Sequence, residues 1–94
     1  MSGFELTVSI PADARFAEML AAVAAQAARQ AGCAEPRVAE FGAAVSEALM
    51  DCLRALPPGQ DSIGVVLRRL TDEIEAVLTC GRRVRVARPV PIDV

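Results

Sequence analysis

The sequence predicts an α+β fold: a two-layer sandwich in the order β-α-α-β-β(-β), with two long helices packed on one face of a mainly antiparallel sheet. Three observations carry that prediction. Near the start, apolar and polar residues alternate strictly from Phe4 to Ile10. From Ala14 to Leu56 the apolar spacing lengthens to three and four, interrupted once around Gly32. After Pro57, Pro58 and Gly59 the spacing returns to two.

The first strand places Phe4, Leu6, Val8 and Ile10 on one face and Glu5, Thr7 and Ser9 on the other, and Pro11 stops it. Asp13 stands at an N-cap position, and Ala14 to Gln30 follows as a helix with Phe16, Met19, Leu20, Val23 and Ala27 on its core stripe. Its reverse side holds Ala21, Ala22, Ala25 and Ala28, which reads either as plain helix propensity or as a close-packing surface for another helix. Gly32 is the C-terminal glycine of that helix. Ala34, Glu35 and Pro36 open the second helix, with proline tolerated in the first turn and the acid near the positive end. Arg37 to Leu56 carries Val38, Phe41, Val45, Ala48, Leu49, Cys52 and Leu56 on one side. Two strands are expected over Ser62 to Leu70 and Glu73 to Thr79, with Arg68 and Arg69 across from Glu73 and Glu75. Gly81 permits another turn, Val84 and Val86 suggest a last short strand, and Pro89 and Pro91 forbid its extension.

At 94 residues the chain is one domain, 1–94, with a thin stability margin. Much of its 53% apolar content is alanine, with three phenylalanines and no Trp, so the core gains little area per residue. The net charge of -2 argues against a nucleic-acid binder. All ten basic residues are arginine, and Arg68, Arg69, Arg82, Arg83, Arg85 and Arg88 make the last third basic. Cys33, Cys52 and Cys80 form no CxxC pair and there is no His, which leaves no zinc signature and no disulfide framework. Cys52 reads as a buried small hydrophobe, and a reducing cytoplasm fits this usage. No stretch is long and apolar enough to span a membrane, and no basic segment followed by an apolar run opens the chain.

Chemistry, if there is any, belongs to the second helix. Glu40, Glu47, Asp51 and Arg54 recur on the side opposite the core stripe, and Glu47 and Asp51 are four apart. Two like charges so placed cost a few tenths of a kcal/mol, roughly, unless a cation or basic partner offsets them. Such a pair is ordinarily a solvated helix face; it does acid–base work where burial or proximity separates the two pKa values.

The runs FELTVSIPADARFAEML, GCAEPRVAEFGAAVSEALMDCLRAL and IGVVLRRLTDEIEAVL resemble the front half of a histidine-kinase-type (GHKL) ATPase domain, over roughly residues 4 to 80. More narrowly they are similar to bacterial anti-sigma-factor serine kinases, whose second helix carries Glu-Ala-x-x-Asn. In that family the glutamate helps activate the attacking group and the asparagine coordinates magnesium. The resemblance therefore implies Glu47 as the catalytic residue of an active protein, Glu47 and Asp51 as nucleotide-binding residues, and Asp51 as the magnesium ligand. Where the family has an adenine-binding aspartate and glycines, this chain reads Leu78, Thr79, Cys80, Gly81, Arg82, Arg83, and it ends at Val94 before the family's lid. It thus reads as a truncated, degenerate relative with half a nucleotide pocket.

The expectation is a non-catalytic regulatory protein-interaction module of anti-sigma or partner-switching type, without catalytic, cofactor or metal residues and with ATP binding lost. The resemblance implies a sigma factor or an anti-anti-sigma protein as partner, and an open sheet edge leaves a homodimer open. Candidate docking surfaces are the acidic helix side (Glu40, Glu47, Asp51) and the arginine-rich strands. The alternative is a residual Mg-ATP-binding serine kinase using Glu47 and Asp51.

Overall fold

The computed structural model describes residues 4–92. β1 (Phe4–Pro11) leads through a 3-10 turn (Ala14–Phe16) into α1 (Ala17–Ala31) and α2 (Glu35–Arg54), and β2 (Ser62–Arg69), β3 (Glu73–Cys80) and β4 (Arg83–Pro91) follow. The four strands form one antiparallel sheet in sequential order, β1-β2-β3-β4. Both helices cover the same face of it, so the fold is the α+β sandwich that the change of period predicts. α2 packs over β3 and β4, and α1 lies alongside α2 with a lighter hold on β2 and β3.

The core sits between the layers. Ile63, Val65 and Leu67 of β2 and Ile74, Ala76, Leu78 and Cys80 of β3 point up into it. Val38, Phe41, Val45, Leu49 and Cys52 point down from α2, and Phe41 is the largest fully buried side chain. The second-helix stripe is thus in place from Val38 to Cys52, with Leu56 half-buried beyond the helix end. Gly32 adopts the left-handed conformation (φ 103°), and the Gly32 and Cys33 N–H groups donate to the Arg29 and Ala28 carbonyls, closing α1 as expected of a C-terminal glycine.

The first-helix expectation needs correction. Asp13 caps the 3-10 turn, accepting from the Arg15 backbone N–H at 2.9 Å, and the α-helix proper begins at Ala17. Its buried residues are Leu20, Ala24, Ala27, Ala28 and Ala31, while Met19 is 46% exposed and Phe16 and Val23 are only half-buried. The cause is α2. A β-carbon on Gly42 would lie 3.3 Å from the Ala21 carbonyl oxygen and 3.8 Å from the Ala25 Cβ, so the alanine side of α1 is a close-packing seam and the helix is rolled toward it. β1 is affected at the other end of the layer. Ile10 is buried, but Leu6 is 43% exposed, because β1 is an edge strand and a shallow groove lined by Val23, Gln26, Ala27 and Gln30 of α1 runs beside it.

The last strand is longer than predicted. β4 runs through Pro89 to Pro91, and Val90 and Ile92 are buried. Proline is tolerated because β4 is an edge, where a missing N–H on the outer side needs no partner. The register also slips there: Ala76 faces Ala87 and Ile74 faces Val90, so β4 carries one extra residue at a bulge. The Ile92 N–H then donates to the Asp72 carbonyl at 2.9 Å, pinning the tail across the β2–β3 turn. In that hairpin Arg68 faces Glu75 as predicted, with an ion pair at 3.3 Å, but Arg69 faces Ile74 and its Nε donates to the Ala31 carbonyl instead.

Candidate functional site

The polar side of α2 is divided. Glu40 lies toward the N-terminal half and pairs with Arg37 at 3.4 Å. Glu47 and Asp51 lie one turn apart farther on, where α2 crosses β4, and both line a cleft of about 360 Å³. Beside the two carboxylates α2 presents small residues there (Ala43, Ala44, Ala48), which leave space between helix and strand. Its opposite wall is β4, which brings Arg85 and Arg88 to face the two carboxylates. Asp51 Oδ1 accepts from Arg54 Nη1 at 2.9 Å, so part of the like-charge cost is offset within the helix. No ion pair within 4.0 Å joins Glu47 or Asp51 to Arg85 or Arg88.

Sequence reasoning named the carboxylates and the arginine-rich strands as separate surfaces and missed that Arg85 and Arg88 face Glu47 and Asp51 across one cleft. The signal was the strand parity: Arg83 and Arg85 stand directly across from Cys80 and Leu78, both inward-facing, so they share the helix side of the sheet. The same parity places Val84 and Val86 across from Thr79 and Val77 on the bare side, where they are 58% and 57% exposed.

The arginines divide sharply by partner. Arg15, Arg29, Arg37, Arg54 and Arg68 pair with acids, and Arg69 reaches a backbone carbonyl. Arg82, Arg83, Arg85 and Arg88 have no hydrogen-bond or ion-pair partner among the described residues. All four belong to the β3–β4 turn and to β4.

A disulfide ties the end of α2 to the end of β3, correcting the expectation that the cysteines build no tidy framework. Cys52 and Cys80 are bonded, with Cα atoms 5.7 Å apart. Cys52 is fully buried, as its place on the apolar stripe predicts, and Cys80 continues the inward parity of Ile74, Ala76 and Leu78. The expected strand stopped at Thr79, one residue short of the inward Cys80, so only the Cys52 half of the bond was placed by the sequence pattern. Cys33 lies outside the pair, and its thiol donates to the Pro91 carbonyl at 3.7 Å.

Among the described residues no cluster of three or more His, Cys, Asp or Glu side chains could hold a metal. Glu47 and Asp51 are two such groups, which suits a cation that keeps water or phosphate ligands better than an all-protein cage. No helix among the described residues is long and apolar enough to cross a membrane. The fold and site define a two-layer α+β domain with one bare sheet face and a cationic edge. Neither protein-family models nor curated proteins match the chain. The likeness to histidine-kinase-type ATPase domains accordingly rests on the residues quoted above.

Proposed function

We propose that the protein is a non-catalytic regulatory module that binds another protein through the β4 side of the sandwich. The observation that carries this reading is the set of four arginines that have no partner among the described residues and that flank the exposed Val84 and Val86 along the chain. Unpaired cations next to apolar surface suit an interface, where arginine is enriched and supplies planar donors to partner carboxylates. The resemblance to anti-sigma-factor kinases supports a partner-switching role, with a sigma factor or an anti-anti-sigma protein as the partner class. Photo-crosslinking in the native host tests the surface. A benzophenone side chain at Val86 or Arg85 is expected to trap a discrete protein partner, and the same group at the exposed Glu18 of α1 is not. Adducts at Glu18 alone would refute the assignment.

The cleft supports a second reading, a residual magnesium–nucleotide site of serine-kinase type. Two carboxylates facing two guanidiniums could hold a cation and a polyphosphate together. Calorimetric titration with Mg-ATP and Mg-ADP separates the readings. The interaction module gives no heat; the nucleotide site gives saturable binding that Glu47→Ala abolishes and Asp51→Asn improves.

A further inference from the structure

We infer that the partner of the β4 edge contributes an extended segment in which acidic and apolar residues alternate, added as a fifth strand beside Arg83–Arg88. This deepens the binding-module reading and rests on it. β4 has β3 on one side only, so the backbone groups of alternate residues point away from the sheet and are available to another strand. The docking length is set by chain chemistry. Pro89 and Pro91 lack an N–H, and the bulge falls at the same place, so regular pairing is confined to Arg83–Arg88.

The side chains specify what the added strand carries. On the helix side of the sheet a neighbour's residues would lie beside Arg83 and Arg85, which have no partner among the described residues; carboxylates fit there. On the bare side the next residues would lie beside Val84 and Val86, and apolar side chains there would extend the cross-strand row Val66, Val77, Val86. Period two in the partner, acid then apolar, satisfies both faces at once. A second copy of β4 does not fit, since two-fold pairing would set arginines against arginines. Glu47 stands across the cleft from Arg85 and competes with the incoming carboxylates.

The test uses the intact protein and a fluorescein-labelled peptide of alternating glutamate and valine, followed by anisotropy. The expected result is saturable binding below about 1 mM, weakened at least about tenfold by the double substitution Arg83→Glu, Arg85→Glu. Three control peptides should bind about tenfold more weakly or worse: one with the same residues in two blocks, one with lysine for glutamate, and one with alternate amides N-methylated on the pairing edge. Glu47→Gln should tighten binding. In NMR hydrogen exchange, alternate amides between Arg83 and Arg88 should gain protection on peptide addition. Equal binding of the blocked or N-methylated peptide would overturn strand addition in favour of plain charge attraction. Tighter binding of a single-stranded oligonucleotide would overturn the protein partner. Failure of every peptide, with partner adducts still formed at Val86, would sink this inference and leave the binding-module reading standing; loss of those adducts too would sink both.

Discussion

At Gly42 the two helices come so close that a side chain decides stability. A β-carbon there would sit 3.3 Å from the Ala21 carbonyl oxygen, tighter than ordinary contact, though not impossible. Gly42→Ala should be near neutral, because about 1 kcal/mol of helix propensity offsets the crowding. Gly42→Val should lower urea-unfolding stability by about 1–3 kcal/mol, since α1 must retreat along the whole seam. The alanines Ala21 and Ala25 were legible as one of two readings, but Gly42 was not, because glycine adds nothing to a hydrophobic pattern. Asp13 offers a second measurement. Its carboxylate accepts from the Arg15 side chain and backbone N–H, which hold its pKa below the ordinary 3.8. A folded-state pKa that is depressed contributes stability above the unfolded value and loses it as pH falls through the folded value. The difference in melting temperature between wild type and Asp13→Asn should therefore be full above pH 3.8 and shrink below it. A difference that stays constant across that window would show that the charge contributes nothing.

α2 is the element read best from sequence, because an uninterrupted 3.6-residue pattern over 20 residues leaves one orientation for its core stripe. β4 was read worst. Its prolines signal the end of a strand in a central position, and nothing in the one-dimensional pattern says that β4 lies at an edge with a bulge. The same gap hid the Cys52–Cys80 bond. The apolar stripe put the Cys52 sulfur in the core, but Cys80 lies one residue beyond the expected strand end at Thr79, and only the fold brings the end of β3 to the end of α2. That bond closes a sequence separation of 28 and should stabilise by about 2–4 kcal/mol, chiefly by restricting the unfolded chain. Reduction should lower the denaturant midpoint accordingly, and Cys52→Ala should reproduce the loss and make the variant insensitive to reductant. Thiol titration of the unfolded, unreduced protein should find one reactive cysteine, Cys33. Three would mean that the pair is not bonded and that the two buried thiols pack as small hydrophobes.

Over the whole molecule, a net charge of -2 conceals an uneven arrangement in which, among the described residues, six arginine side chains have a partner and the four in the β3–β4 turn and β4 have none. The Glu47–Asp51 pair was legible from spacing alone; the cationic wall opposite became legible only once β4 had a place in the sheet. An open edge beside exposed valines invites pairing between copies, and charge and proline are the ordinary means of blocking it. β4 has both, with arginines over the pairable stretch and prolines beyond it. The same residues that suit an acidic partner therefore oppose self-association through this strand. Substituting Arg83→Ser and Arg85→Ser removes that repulsion and leaves Val84 and Val86 uncovered. In sedimentation velocity at physiological salt, the double variant should form a dimer at concentrations where the wild type shows no β4-mediated species. Cysteine crosslinks introduced at Val86 should join its copies. High salt should move the wild type the same way, because screening weakens repulsion between exposed guanidiniums over a distance of about 3 Å at 1 M. If neither change increases association, like charge is not what keeps this edge apart, and the prolines and the bulge alone account for it.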